Sequence, residues 1–256
     1  MAFVVFNSPS CIRRNRKLIA RVEVNGYSYI CTMPRQLISN HRLFLSIFAL
    51  YVLLGAIGFI YYQQGNEIVF LNNHHSSALD FFFSFITQLA EGWSLTLIGI
   101  ALLLWRVKYA LLYLIDIIVL SFVVQFLKHQ VFPDRLRPSL FFGAQYPLHF
   151  VTGVPVFTHY SFPSGHTALA FGVFFLVAIV VKRTSASMLF LVLAFGVGLS
   201  RMYLLQHFWI DVYFGSILGI FTTLVIYILF QNVLIHTDRR WLNLSAYDYL
   251  LTRKNL

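Results

Sequence analysis

Charge is what this chain has least of. Only 11% of its 256 residues are Asp, Glu, Lys or Arg, where a soluble domain carries about 25%. So few ionic groups cannot cover a water-facing surface, which excludes an ordinary soluble globular protein. Acidic residues are the scarcer sign, nine against nineteen basic. Cysteine is nearly absent: Cys11 and Cys31 are the two, both in a basic N-terminal stretch. They are too few for a disulfide framework or a thiolate metal site and read as reduced thiols. Nor is a signal peptide expected from the N-terminal residues, because the apolar MAFVVF is short and precedes the basic residues. Neither repeats nor low-complexity tracts divide the chain, so one domain is expected.

What is present is apolar. Hydrophobic residues make up 59% of the chain, and its mean hydropathy is +0.74. Runs close to the length a bilayer core requires predict membrane helices at 43–63, 91–107, 108–127, 165–182, 186–201 and 208–230. Within 64–90, LDFFFSFITQLA mixes aromatic and polar residues and reads as an interfacial helix feeding the second span. The expected fold is all-α, a polytopic membrane helix bundle of about six transmembrane helices plus an interfacial helix. Three parts follow: a basic cytosolic segment at 1–42 (with Met33 as an alternative start), a six-span domain at 43–230 and a cytosolic tail at 231–256.

On this topology fifteen of the nineteen basic residues fall on one side of the membrane. The positive-inside rule makes that side the cytoplasm, with both termini inside. The net charge of +10 is thereby explained by topology and does not point to nucleic acid. A plasma membrane of the bacterial inner type fits the short loops; an endoplasmic reticulum membrane obeys the same rule. Four cations break the bias: Lys128, Arg135, Arg137 and Arg201, all at or near outer ends of predicted spans. A charge placed against an orientation rule needs another reason.

The reason lies in what shares that face. Pro163-Ser164-Gly165-His166 opens the fourth span. Pro163 ends the incoming loop, Ser164 is a good N-cap, and Gly165 admits close approach of a ligand to the backbone. A helix N-terminus presents unpaired N–H groups and partial positive charge, which suits a phosphate-like anion. Taken alone, the motif is no more than a helix cap. His207 and Asp211 are four apart and share a helical face, so the carboxylate can fix the imidazole tautomer. Cations, two histidines and a helix N-terminus on one membrane face make an oxyanion site. With no outer carboxylate cluster, no metal or other cofactor is expected.

These three segments resemble the signature of the type 2 phosphatidic acid phosphatase superfamily of membrane lipid phosphate phosphatases. The family pattern is Lys followed by Arg-Pro, then Pro-Ser-Gly-His, then Ser-Arg, five residues, His, three residues, Asp. The second and third segments are intact, the latter as Ser200-Arg201, His207 and Asp211. The first departs: Lys128 reaches Arg137-Pro138 after eight residues, where six is usual, and Arg135 at the usual distance is followed by Leu136. Either arginine fits; Arg137 is favoured because Pro138 fixes its backbone.

The resemblance implies a metal-independent hydrolase acting on a phosphomonoester or diphosphate of a membrane lipid. Candidate substrates are a polyprenyl diphosphate, phosphatidylglycerol phosphate, phosphatidate or a lipid A-type glycolipid. It implies His207 as a nucleophile forming a phosphohistidine, Asp211 as its orienting partner and His166 as the acid for the leaving oxygen. Lys128, Arg137 (or Arg135), Arg201, Ser164 and Gly165 would hold the phosphoryl oxygens, and the site would face the extracytoplasmic side. A lipid phosphotransferase with a non-water acceptor, or an inactive membrane protein, are the alternatives. Beyond the motifs, Asp116 falls mid-span and is expected to be structural or protonated. Glu91, near the outer end of the second span, is placed to touch a headgroup but reads rather as an interfacial residue; His74 and His75 are adjacent as a metal pair would be but read rather as part of a solvated loop.

Overall fold

The computed structural model describes residues 21–24, 27–30, 33–143, 146–235 and 240–245. Cys11 and Cys31 and most of both expected cytosolic segments lie outside these residues. A short antiparallel hairpin comes first, β1 (Arg21–Val24) against β2 (Tyr27–Ile30), with Arg21 opposite Ile30. The pattern RVEV-NG-YSYI carries the Asn-Gly signal for such a hairpin, which composition and hydropathy do not register. All else is helical: α1 (Met33–Asn40), α2 (Arg42–Gly58), α3 (Asn66–Asn73), α4 (Ser77–Thr87), α5 (Gly92–Trp105), α6 (Val107–Phe126), α7 (Pro138–Phe142), α8 (Gly165–Val181), α9 (Thr184–Tyr203) and α10 (Trp209–Ile235).

The expected spans match these helices within a few residues, with two changes. The interfacial segment is two helices, α3 and α4, and α4 meets α5 through a 3₁₀ turn at Gln88–Ala90, bent by 48°. The third span continues as a π-helical turn, Leu127–Val131, that carries Lys128. Among the described residues three helices are long and apolar enough to cross a bilayer: α6 with its continuation, α9, and α10 over Trp209–Gln231; the bent α4–α5 pair is a fourth if counted as one span. The 17-residue α2 and α8 are apolar but shorter, roughly 25 Å at helical rise.

α8 is the axis of the bundle. It packs most extensively on α9 and α10, then on α6. From Thr167 to Val180 nearly every side chain is buried, including Phe171, Phe175 and Leu176. Apolar residues of the outer helices point the other way: Leu53, Phe81, Phe122, Phe221 and Leu229 are exposed. A soluble protein would bury such residues; a bilayer solvates them.

Between helices in lipid there is little hydrophobic drive, so association depends on close backbone approach and interhelical hydrogen bonds. Both occur where α8 meets its neighbours. A Cβ added to Gly215 would lie 2.7 Å from Ser164 O, and one added to Gly219 would collide with Ala168 O. Asp116, fully buried in α6, accepts hydrogen bonds from Thr223 Oγ1 of α10 at 3.0 and 3.1 Å, the structural partner that its mid-span position requires. Gly219→Ala is therefore expected to force α8 and α10 apart and destabilise the fold by about 1–3 kcal/mol. The check is a lowered thermal midpoint in detergent beside an Ala substitution at exposed Phe221.

Candidate active site

Two chain reversals and two helix starts converge at the end of the bundle where α8 begins. Ser164 caps α8: its Oγ accepts from Thr167 N at 3.4 Å, and its own N–H donates to Asp211 O at 3.0 Å. The N-terminus of α8 is thereby tied to the first turn of α10. The first intrahelical bond is Ala168 N to Ser164 O, so the amides of Gly165 and His166 precede the ladder and are donors available to an anion.

His207 stands in the turn between α9 and α10 and is 1% exposed. Its N–H donates to Arg201 O at 3.1 Å. Asp211 Oδ2 lies 3.5 Å from His207 Nδ1, so Nε2 is the nitrogen left for chemistry. That oxygen also accepts from Phe208 N at 2.9 Å and from Ser161 Oγ at 2.5 Å, and Ser161 Oγ lies 3.5 Å from Nδ1. Burial first, then Lys128, Arg137 and Arg201, hold the His207 pKa well below its ordinary 6.5. The imidazole is neutral at neutral pH, the state a nucleophile needs.

Three cations surround it, each buried. Lys128 donates to Tyr160 O at 3.0 Å. Arg137 donates through Nε to His159 O at 2.9 Å and through Nη1 to Gln206 O and Oε1 at 3.2 and 3.1 Å, with Phe157 under its guanidinium. Burial disfavours the Arg137 charge, and Asp211 opposes that effect. Arg201 donates to Thr87 Oγ1 at 2.8 Å, while its Nε is buried with no partner. A buried guanidinium N–H without an acceptor is costly, and an anion bound beside it removes that cost. Arg135 is exposed; its carbonyl accepts from Ser161 N at 3.0 Å, and it lines a separate cavity with Phe208 and Asp211. The eight-residue spacing from Lys128 to Arg137 is accommodated by the π turn and the loop that follows.

A cavity of about 370 Å³ opens here, lined in part by His166, Arg201, Gln206, Thr87 and Glu91. Sequence reasoning undervalued two of its neighbours. Glu91, expected as a plain interfacial residue, has Oε1 at 4.0 Å from His166 Nε2. Ser161 escapes a sequence reading because a loop serine carries no spacing signal. His75, expected in a solvated loop, stacks on His149 at 3.9 Å between ring centres, and His149 pairs with Asp80 at 2.9 Å. These contacts, with Asn72 bonded both to His149 N and to His149 O, pin the 146–162 loop onto α3 and α4. Tyr160 and Leu205, either side of the site, are held at φ 56° and 58°, strain of the kind that collects at functional sites.

With this geometry in view, the relationships are specific. Residues 109–235, which hold all the motifs, match the PAP2 superfamily. These residues make up a PAP2 superfamily domain. Its fold resembles two solved structures at TM-scores of 0.55 and 0.54. The first is Aquifex aeolicus LpxE, 24% identical, covering 62% of this chain and 92% of that one. The second is a transmembrane PAP2-type phosphatidylglycerolphosphate phosphatase from Bacillus subtilis, 23% identical, covering 80% of this chain and 98% of that one. A curated relative, the bacitracin transport permease protein BcrC of Bacillus licheniformis, is 43% identical over 67 residues. That match spans 26% of this chain and about a third of the relative's length.

Ser161→Ala removes a hydrogen bond to the carboxylate that faces His207. A bond to a charged group contributes about 1.5–3 kcal/mol, so kcat is expected to fall about 10- to 100-fold with KM little changed. Steady-state kinetics on a lipid phosphate checks this.

Proposed function

We propose that this protein is an integral membrane lipid phosphate or diphosphate phosphatase that works through a phosphohistidine. The observation carrying the reading is one convergence: neutral, buried His207 on Asp211, ringed by three cations, one with an unsatisfied guanidinium N–H. Phosphoryl transfer asks mainly for in-line positioning and charge stabilisation, and this arrangement supplies both. Arg201, Arg137, Lys128 and the Gly165 and His166 amides bind the phosphoryl oxygens. His207 Nε2 attacks phosphorus as the bond to the lipid oxygen breaks. His166 gives its proton to that oxygen, then takes one from the water that hydrolyses the phosphohistidine. No metal enters these steps.

Burial first, then Arg201, Lys128 and Arg137, oppose a proton on His166, yet the leaving oxygen needs one. Glu91, with Oε1 4.0 Å from His166 Nε2, is the carboxylate on the cavity wall placed to favour that proton as substrate binds. The headgroup-level position suits a lipid whose tail stays in the bilayer. Phosphatidylglycerol phosphate, a polyprenyl diphosphate, phosphatidate and a lipid A-type glycolipid all present such a phosphate, and the printed name of the Bacillus subtilis neighbour supports the first. The basic-residue bias supports a plasma membrane setting with the site on the extracytoplasmic face and both termini in the cytoplasm.

The deciding assay is phosphate release from a panel of lipid phosphates by detergent-purified protein, with EDTA present. His207→Ala is expected to lose about 10⁴-fold or more of the turnover with folding intact, and vanadate to inhibit the wild type. EDTA-sensitive release, or an active His207→Ala, would overturn the mechanism. A second assay isolates Glu91. Glu91→Gln should cost about 10-fold in kcat/KM on an alkyl phosphate, whose leaving oxygen needs the proton. On an aryl phosphate with an acidic leaving group it should cost almost nothing. Equal losses on both would remove Glu91 from this role.

A further inference from the structure

At the far end of α8, a full helix length from His166, lies a second polar cavity of about 240 Å³ between helices. Its wall includes Lys108, Lys182, His41, Tyr109, Tyr227 and Gln231. Lys182 is close enough to both Lys108 and His41 for their charges to repel. Among the described residues no Asp or Glu lines the cavity, and no ion pair includes either lysine. The lysines are also held in particular positions. Lys182 is the C-cap of α8 in the left-handed region, φ 58°, a position that glycine or asparagine ordinarily takes. Lys108 is steered by Asn243 Oδ1 at 2.7 Å, from a segment whose Leu244 O also accepts from Val107 N. His41 is buried at the start of α2, with Nδ1 3.4 Å from Ser187 Oγ.

The positive-inside bias accounts for lysines at this face, but not for gathering them around one cavity with hydroxyl and amide donors and no counter-charge among the described residues. A left-handed lysine adds strain that a glycine would avoid. Both costs are recovered if an anion sits between the cations. Basic pockets between membrane helices are built to take phosphate headgroups.

We propose that this cavity binds a phosphate-bearing anion, at the opposite end of the bundle from the catalytic site. Its two sources are the headgroup of an anionic phospholipid in the facing leaflet and a free phosphate. The inference is independent of the catalytic reading, since it uses none of those residues.

The test is the acylation rate of each lysine by an amine-reactive ester, read by mass spectrometry. The full chain is placed in phosphatidylcholine bilayers, alone, with phosphatidylglycerol, or with inorganic phosphate. Phosphatidylglycerol is expected to slow Lys108 and Lys182 about fivefold relative to Lys17 and Lys254. If inorganic phosphate protects equally, the site stands and its ligand is soluble. Protection no greater than at Lys17 and Lys254, with either additive, overturns the proposal. Lys182→Gly, whose glycine suits the left-handed C-cap, should keep its thermal midpoint and its turnover while Lys108 loses protection. Undiminished protection of Lys108 in that variant would also overturn a shared site.

Discussion

Three like charges buried around one imidazole are the constraint on which the rest of this structure depends. Lys128, Arg137 and Arg201 are each less than a tenth exposed, and burying a cation without a partner is expensive. The chain meets this with fixed dipoles. Tyr160, His159 and Gln206 turn their carbonyls to Lys128 and Arg137, and Thr87 receives Arg201. One carboxylate, Asp211, stands in the middle. What these leave over, the Arg201 Nε and the α8 amides, is what an incoming phosphate would satisfy. The site is thus incomplete in the direction of its ligand.

Asp211 shows how tightly the scaffold and the chemistry are joined. Its backbone carbonyl holds the N-cap of α8, and its side chain holds Phe208 N, Ser161 and the His207 ring. One residue therefore sets the distance between the Pro-Ser-Gly-His turn and the imidazole. That coupling also explains Gly215 one turn on: any side chain there would push Ser164 away.

The 146–162 loop is the other half of the enclosure. Asn72, Asp80 and Tyr203 hold it through His149, while Gln206 reaches Pro155 O at 2.9 Å and Arg137 reaches His159 O. It covers the site because polar pairs from α3, α4 and α9 hold it, at the interface where water would otherwise compete for the cations.

Much of this was legible in the sequence, for identifiable reasons. The helices could be read because an uncharged apolar run of bilayer length is stable in few settings besides a membrane. Lys128, Arg201, Ser164, His166, His207 and Asp211 could be read because their spacings place each at a helix end, and helix ends on one face lie at one depth. Three things could not be read. Arg137 and Arg135 differ only in where a loop turns, and the π turn with its loop, not the residue count, sends Arg137 inward. Ser161 and Glu91 come from segments with no period, so only the packing of the 3₁₀ turn between α4 and α5 against α8 brings the carboxylate to His166. The cavity at Lys108 and Lys182 joins residues more than 70 positions apart. Sequence by itself determined the membrane helices and the chemical inventory, because periodicity and spacing are local. Tertiary structure decided which cations meet and which stay unpaired, because that depends on how α8 is gripped between α6, α9 and α10.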